Sequence, residues 1–462
     1  MKKRYLIILV FAFLLASALF VSLAVTPADI VVRRSDAAVV QLAAFNGTFG
    51  SIFGAKVLVK DMNNDGYIDL IVGAPFKNLS GGVSDYSGQV YVFYGNSEGL
   101  HSYGSAQANA TFNGTFNSMF GTNILAEDMN NDSYNDLVIG AYYKNLSEGI
   151  WDFTGQVYIF YGSSDGMHSY ASSDANVTLN GTSPSLFGYP DPIAVDMNND
   201  TYKDIIIGAV SKNLSGGIKD NTGQVYIFYR SAGIFRSATA AEANLTFNGT
   251  ARNTYFGSAI LVSDMNNDTY PDLVIGAKGA NLSGGVGDLT GQVYLFYNSP
   301  GGMRSYTSAN ANITFNGTMA QDYFGDQTIY SGYINNDSYK DLVINARSAK
   351  VNSSTNINMG MLAMFYGSSD GFHPYSRLEA NVTINGTLSD DNHFGEFFQF
   401  DDFNGDGYKD LLISANQMNL SYGLHSQQGQ VYIFYGTANG FNTMTAYEAN
   451  ITLNGSNNNY YL

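Results

Sequence analysis

One Asp-rich loop recurs along the chain and carries side chains that could bind a metal ion. In its first copy, side-chain oxygens fall at positions 1, 3, 5 and 9, which are Asp61, Asn63, Asp65 and Asp69, and Tyr67 at position 7 can offer its backbone carbonyl. Alternating oxygen ligands on a tight turn converge on one point, and hard oxygen ligands favour calcium over softer metals. The loop therefore predicts a calcium site.

The same five positions recur in four further loops. These sets are Asp128, Asn130, Asp132, Tyr134 and Asp136; Asp196, Asn198, Asp200, Tyr202 and Asp204; Asp264, Asn266, Asp268, Tyr270 and Asp272; and Asp402, Asn404, Asp406, Tyr408 and Asp410. Five near-identical loops with no accompanying nucleophile or base favour a structural role for the metal over a catalytic one. About five calcium sites are expected, each tying the turn between two strands.

A sixth copy of the loop is altered. It keeps Asn335, Asp337 and Asp341 but has Tyr333 at position 1, so we expect this site to bind calcium weakly or not at all. Asp and Asn also cap tight turns without any metal. Turn capping alone does not require an acid at position 9 in every copy, which favours the metal interpretation.

The loops belong to a repeat that fixes the fold class. The copies begin at residues 61, 128, 196, 264, 333 and 402. Each unit has four short apolar segments, rich in β-branched and aromatic residues and bounded by Gly, Asn and Ser, which is the pattern of strands and turns. Four strands repeated six times predict an all-β protein, a β-propeller of four-stranded antiparallel blades.

The blade count has one complication. The fourth-strand motif occurs a seventh time, in AVVQLAAFNGT at Ala38 to Thr48, ahead of the first full unit. Either six blades close with one redundant strand, or a seventh blade is incomplete. We favour six blades, with a seven-bladed or incompletely closed ring as the alternative.

Composition excludes several classes of protein. The chain has 462 residues, no cysteine and a formal net charge of −17. Disulfides therefore do not stabilise it, and stability must come from packing or from metal. Nucleic acid is not an expected partner, because no basic patch is present to neutralise phosphates.

The N-terminus has the pattern of an export signal. Lys2, Lys3 and Arg4 precede an uncharged, mostly apolar stretch at residues 5–25. Residues 1–25 are predicted to be a signal peptide, or an N-terminal membrane anchor, since residues 5–25 are long enough to span a bilayer. Residues 26–36 are interpreted as a linker and residues 37–462 as the propeller. The protein is expected to be secreted or attached to the cell surface.

The repeat resembles a known family. The chain shares with it the Phe-Gly pair that opens each unit (Phe53-Gly54 in the first), the Asp-x-Asn-x-Asp-x-x-x-Asp loop and the Gly73-Ala74-Pro75 segment after the second strand. In these features it resembles the FG-GAP repeat family, the calcium-binding blades of integrin alpha-subunit propellers and of related microbial surface proteins. The resemblance implies an adhesion or binding role at a surface. The fifth and sixth units depart from it with Asn345-Ala346 and Ser414-Ala415.

Acceptor sequences for N-linked glycans are unusually numerous. The chain contains 23 Asn-x-Ser/Thr sequences, and in an exported protein these predict N-linked glycans. They recur at fixed places, in the Asn-Leu-Ser segments between the second and third strands (Asn78 in the first unit) and along the fourth strand. Asn and Thr also suit turns and edge strands without any glycan. Strand alternation predicts that most acceptors and the metal loops lie on opposite faces.

These features favour a non-enzymatic, calcium-binding surface or secreted glycoprotein that serves adhesion, recognition or envelope structure. Its partner would be a surface protein or a glycan. The alternative is a carbohydrate-binding or carbohydrate-active propeller, a lyase or hydrolase. The five His residues lie mostly in variable turns, and the single Trp151 offers no platform for stacking sugars, so the non-enzymatic interpretation is preferred.

Overall fold

The computed structural model describes residues 30–454, apart from 33–42, 49, 81–84, 148–151, 215–219, 232, 234, 283, 285–286, 351–357, 388–392 and 416–428. The predicted signal or anchor at residues 1–25, most of the linker and Asn419 lie outside the described residues. Within those ranges, no helix is long and apolar enough to cross a bilayer.

Every repeat folds into short strands. Two strands precede the first repeat, β1 (Ile30–Val32) and β2 (Ala43–Asn46). The first repeat forms β3 (Lys56–Lys60), β4 (Asp69–Ala74), β5 (Gln89–Phe93), β6 (Tyr103–Gly104) and β7 (Ala110–Asn113). The second forms β8 (Asn123–Glu127), β9 (Asp136–Ala141), β10 (Gln156–Phe160), β11 (Tyr170–Ala171) and β12 (Val177–Asn180). The third forms β13 (Ile193–Val195), β14 (Asp204–Ala209), β15 (Gln224–Phe228), β16 (Ala238–Thr239) and β17 (Leu245–Asn248).

The last three repeats follow the same order. The fourth forms β18 (Phe256–Ser263), β19 (Asp272–Ala277), β20 (Gln292–Phe296), β21 (Tyr306–Thr307) and β22 (Ile313–Asn316). The fifth forms β23 (Phe324–Gly332), β24 (Asp341–Ala346), β25 (Met361–Phe365), β26 (Tyr375–Ser376) and β27 (Val382–Asn385). The sixth forms β28 (Phe398–Asp401), β29 (Asp410–Ala415), β30 (Gln430–Phe434), β31 (Met444–Thr445) and β32 (Ile451–Asn454).

Each two-residue strand leads into one turn of 3₁₀ helix. These turns are Ser105–Gln107, Ser172–Asp174, Ala240–Glu242, Ser308–Asn310, Arg377–Glu379 and Ala446–Glu448. No α-helix occurs in the described part of the chain. The protein is all-β, and the prediction of a six-bladed β-propeller is confirmed.

The blades are wider than the predicted four strands. Four antiparallel strands of one repeat form each sheet, as in β3-β4-β5-β7, and the two-residue strand of the next repeat adds a parallel fifth strand, here β11. Only the sixth blade, β28-β29-β30-β32, has four strands among the described residues. These fifth strands could not be predicted from the sequence, because a strand of two residues shows no periodicity.

The additional copy of the fourth-strand motif does not form a blade. Its strand β2 pairs antiparallel with β1 and parallel with β6 in a separate three-stranded sheet. The Phe45 ring packs 5.2 Å from that of Phe93 and 5.9 Å from that of Tyr103. Phe112 of β7 packs in the same way on the second blade, 4.9 Å from Phe160. β2 therefore covers the first blade as an outer strand would.

Burial follows the predicted pattern. The second strands β4, β9, β14, β19 and β24 are buried along their whole length. The outer strands β7, β12, β22 and β27 alternate buried and half-buried residues. The last outer strand differs, because Ile451 and Leu453 of β32 are 37% and 42% exposed. Strands buried on both faces read as continuous apolar runs, and strands with one buried face alternate.

By its contacts the chain divides into two compact units, residues 1–196 with 200–207 and 227–244, and residues 197–199 with 208–226 and 245–462. The first unit contains the first two blades, with apolar clusters that include Phe45 and Phe93 in one and Met62, Ile71 and Phe160 in another. The second contains the last three blades, with clusters that include Phe315 and Phe365 in one and Phe394 and Phe434 in the other.

Glycine at the end of the second strand permits a close approach between neighbouring blades. A Cβ on Gly276 would lie 2.2 Å from the carbonyl oxygen of Gly325, the glycine of the next Phe-Gly pair, which itself has a φ of +80°. In the first unit, a Cβ on Gly73 would lie 2.1 Å from the Gly121 oxygen. The Gly-Ala dipeptide that ends one second strand and the Phe-Gly dipeptide of the next repeat thus meet in one backbone contact.

We expect Gly276→Ala to destabilise the protein by about 1–3 kcal/mol, because the added methyl group overpacks a contact made by backbone atoms that cannot move aside. Urea unfolding measures the change. Gly301→Ala is the matched control, since a Cβ there would meet nothing closer than the Ser299 Oγ at 3.8 Å. Equal stability of the two variants would show that the close approach is not required.

Candidate metal centres

The Asp-rich loops lie where the sequence predicts them, between the first and second strands of each blade. In the first blade the loop begins after β3 and ends at Asp69, the first residue of β4. Asn64, Asp65 and Gly66 are exposed, whereas Asp69 is fully buried. A metal ion held by the loop would therefore sit at the surface and reach inward only through position 9.

Positions 1 to 7 of the loop form a closed turn. The Asp61 carboxylate accepts hydrogen bonds from the backbone N–H groups of Asp65 at 3.2 Å and Gly66 at 2.8 Å. The Asp65 carboxylate accepts from the Tyr67 N–H at 2.8 Å, and Asn63 Nδ2 donates to Asp65 at 3.0 Å. The loops at Asp128, Asp264 and Asp402 repeat these contacts. The chain thus places the three polar side chains on one tight turn.

Position 9 has a second role that the sequence did not reveal. One oxygen of Asp69 accepts the N–H of Met62 at 2.7 Å, and the other accepts the N–H of Gly95, just after β5, at 2.8 Å. The contact to the second residue after the third strand recurs in all six blades, at 2.8–3.0 Å. This carboxylate joins the loop to the end of the third strand.

Burial raises the pKa of three of these carboxylates. It raises the pKa of Asp69 to about 6 and those of Asp136 and Asp272 to about 7, although the two backbone N–H donors lower them. The neighbouring Asp residues of each loop raise the pKa further through their negative charge. Without a cation, each of these three loops thus concentrates acids that disfavour one another's ionisation.

The chemistry of the donor set fits calcium, since each full loop offers three carboxylates, one amide oxygen and a backbone carbonyl. Across the described ranges, however, no group of three or more His, Cys, Asp or Glu side chains is gathered as a metal site. Their carboxylates are instead engaged with backbone N–H groups of the loop. If calcium binds, it is held by the predicted five positions of each full loop, and it supplies a divalent charge that offsets the crowded acids.

The fifth loop separates the two roles. Tyr333 stands at position 1 and is 47% exposed, yet the turn still forms, with Asn335 accepting the Asp337 N–H at 3.2 Å. Asp341 keeps both inward contacts, to the Ile334 N–H at 2.6 Å and the Gly367 N–H at 3.0 Å. The loop therefore folds without the position 1 carboxylate, and position 9 is retained for its backbone contacts.

The recurrent Asn residues of the outer strands also have structural partners. The first of each pair, such as Asn109, accepts the N–H of the residue that follows the third strand, here Tyr94, at 2.7–2.8 Å in all six blades. The second, such as Asn113, accepts from the Gln that opens the third strand at 2.5–2.6 Å in five blades. Their recurrence is explained by these contacts, whether or not a glycan is attached.

The Asn-Leu-Ser segments close the connection between the second and third strands. Asn78 Oδ1 accepts the N–H of Asp85 at 3.0 Å, and Ser80 Oγ donates to the Asp85 carboxylate at 2.5 Å. Asn145 and Asn213 accept from Asp152 and Asp220 in the same way. Burial opposes ionisation of Asp85, but hydrogen bonds from Ser80 and Ser87 hold its pKa below the ordinary value.

Comparison with known proteins assigns four of the blades to one repeat family. The FG-GAP repeat family matches residues 53–93, 120–160, 256–296 and 394–434. Each segment runs from a Phe-Gly pair to the last residue of a third strand and contains a complete Asp loop. These are the first, second, fourth and sixth blades, and the family resemblance predicted from the sequence is confirmed.

The relatives include both a phospholipase and integrin alpha chains. The chain is 25% identical over 397 residues to phosphatidylinositol-glycan-specific phospholipase D of Bos taurus, covering 81% of this chain and 45% of that protein. It is 34% identical over 170 residues to integrin alpha-6 of Gallus gallus, covering 36% of this chain and 14% of that protein. The chain spans less than half the length of either relative.

Among solved structures, a rhamnogalacturonan lyase of Bacillus licheniformis aligns with 87% of this chain and 57% of its own, at a TM-score of 0.39 and 10% identity. At this TM-score the likeness has no bearing on activity.

In a calcium-free buffer with chelator, Asp272→Asn should lower the free energy of unfolding by about 1–3 kcal/mol, since the new amide NH2 faces a buried backbone N–H. Asp264→Asn, at half-buried position 1 of the same loop, is the comparison variant and should cost less, because the Thr269 N–H that its carboxylate accepts is exposed to water. Urea unfolding measures both. Equal destabilisation by the two substitutions would contradict separate roles for positions 1 and 9.

Asn312→Ala should cost about 0.5–1.5 kcal/mol of stability in protein made in a host without N-glycosylation, because it removes the hydrogen bond that the Tyr297 N–H donates. Thr314→Val also destroys the acceptor sequence but keeps Asn312, so it should leave stability nearly unchanged. Thermal melts compare the two variants. If both melt like the parent protein, the recurrence of these Asn residues is not structural.

Proposed function

We propose that this chain, four of whose blades match the FG-GAP repeat family, is a calcium-stabilised binding scaffold that works outside the cell. The observation that carries the proposal is the same acid-rich turn, closed in the same way, between the first and second strands of successive blades. A repeated site of this kind suits a scaffold better than a reaction centre, because catalysis needs one distinctive constellation of groups. The partner is a surface protein or a glycan.

In this proposal each full loop holds one calcium ion through its side chains at positions 1, 3, 5 and 9 and the carbonyl at position 7. The ion offsets the mutual repulsion of the acids and fixes the first strand to the second. Binding to the folded state alone adds about 2.7 kcal/mol per site when free calcium is a hundredfold above Kd. The fifth blade, with Tyr333, contributes little or nothing.

Secretion or surface attachment is part of the same proposal. It is supported by the export-type pattern of residues 1–25 and by the acceptor sequences on exposed Asn residues, such as Asn109 and Asn176. The Asn residues of the outer strands use their carbonyl oxygens in hydrogen bonds, which leaves the amide nitrogen as the site for a glycan. Intact-mass measurement of protein from its natural source shows whether glycans are present.

A second candidate function is that of a module in a hydrolase. The observation that favours it is the match to the phospholipase D sequence, which covers 81% of this chain, whereas the match to integrin alpha-6 covers 36%. Assays on phosphatidylinositol-glycan and on polysaccharides test it. Turnover that is lost on denaturation would show that the protein acts in hydrolysis and is not a binding scaffold alone.

We expect calcium titration of chelator-treated protein to give about five sites, and chelation to lower the melting temperature of the holoprotein. Tyr333→Asp restores the missing position 1 ligand and should raise the stoichiometry by one. Asp402→Asn is the matched opposite change and should lower it by one. Isothermal titration calorimetry counts the sites. Six equivalent sites in the parent protein, or none, would contradict the proposal.

A further inference from the structure

The fifth blade departs from the repeat at four positions that lie close together. Its third strand begins with Met361 and has Ala363 where the other five blades have Gln and Tyr. Its 3₁₀ turn begins with Arg377, where the other turns begin with Ser or Ala. Asp322 stands two residues before the Phe-Gly pair, a place taken by Ser or Thr in the first four repeats.

The usual residues at these positions connect the third strand to the outer strand. In the fourth blade the Tyr294 hydroxyl donates to Gln292 Oε1 at 2.6 Å, and Gln292 Nε2 donates to Asn316 Oδ1 at 2.6 Å. Met361 cannot make either contact. Asn385, the counterpart of Asn316, donates instead to Thr383 Oγ1 at 3.3 Å, and its carbonyl oxygen loses the Gln donor.

Arg377 enters the fifth blade in place of these contacts. Its side chain is 5% exposed, and its Nε lies 2.7 Å from the carboxylate of fully buried Asp322. Nη2 donates to the Lys350 carbonyl oxygen at 3.2 Å, but among the described residues Nη1 has only the thioether sulfur of Met361, at 3.7 Å. Sulfur of this kind is a weak acceptor, so one edge of a buried guanidinium retains donor capacity.

A cavity lies beside Arg377. Its volume is about 300 Å³, and it is lined among others by Arg377, Met361, Asn385, Thr383 and Thr443. This volume is at the lower end of small-molecule sites, which combine apolar walls with a few polar groups that fix orientation. The guanidinium favours a carboxylate, with which it forms two parallel hydrogen bonds. The hydroxyl and amide groups favour ligand hydroxyls.

We propose that this cavity of the fifth blade binds a small hydroxylated carboxylic acid, a sugar acid or a hydroxy acid. Arg377 receives the carboxylate on the edge that carries Nη1, while Asp322 holds the guanidinium in place from the Nε side. Asn385, Thr383 and Thr443 bind the hydroxyls. The proposal is independent of calcium, since none of these residues belongs to an Asp loop.

Calorimetric titration of the full chain with D-glucuronate, L-lactate and D-glucose tests the proposal. One or both acids should bind at a single site, and neutral D-glucose should bind at least tenfold more weakly. Preference for glucuronate identifies the sugar acid as the ligand class, and preference for lactate the hydroxy acid. Arg377→Lys keeps the charge beside Asp322 but loses the planar donor pair, so it should weaken acid binding about tenfold.

A second variant protects the test against misfolding. Asp322→Ser, Met361→Gln, Ala363→Tyr and Arg377→Ser together rebuild the arrangement of the other blades, so the protein should melt near the parent temperature and bind neither acid. The proposal is overturned if neither acid binds the parent at 50 mM or if this folded variant binds as tightly as the parent. A glycan on Asn385 of the natural protein, detected by peptide mass mapping, would also overturn it.

Discussion

The architecture depends on one buried carboxylate in each blade. Asp69 and its five counterparts are fully buried, and burying such a group costs several kcal/mol unless its oxygens accept hydrogen bonds. They do so from backbone N–H groups at both ends of a long stretch of chain, in the loop and after the third strand. The carboxylate thereby satisfies two donors that no sheet ladder reaches. This contact is present in the fifth blade, where the metal motif is incomplete. The fold therefore requires the carboxylate at position 9 whether or not the loop can bind calcium.

Side chains complete the hydrogen bonding wherever a third strand ends. The N–H groups of Tyr94 and Gly95 are consecutive, and the first donates to Asn109 while the second donates to Asp69. One acceptor comes from the outer strand and the other from the metal loop, so the strand end is tied to two other segments of its blade. Backbone groups in this position must find partners because they are partly withdrawn from water. The Asn and Asp residues of the repeat are therefore structural first, and any glycan or metal uses residues already in place.

Much of this could be predicted from the sequence, and the reasons for the rest are physical. The period near 68 residues, the apolar second strands and the alternating outer strands predict the blades, because burial on two faces or one leaves a direct trace in residue type. The parallel strand at Tyr170–Ala171 could not be predicted, since two residues carry no period. The inward role of Asp69 was hidden because a metal ligand and a hydrogen-bond acceptor require the same side chain. The packing of Phe45 on the first blade could not be predicted either. A strand that is left over from the blades and a strand that covers a blade have the same residue pattern.

Repetition indicates where distinctive chemistry can reside. A residue present in every blade serves what the blades share, which is the fold, whereas a residue found once is free to serve a partner. The fifth blade concentrates such residues: Asp326, fully buried, pairs with Lys278 at 2.9 Å and with Arg347 at 2.7 Å. Buried ion pairs add little net stability compared with apolar packing, so stability alone does not account for these charges or for Arg377. Because the same repeat builds all six blades, a residue that confers binding specificity is best sought in the blade that departs most from the repeat, which is the fifth.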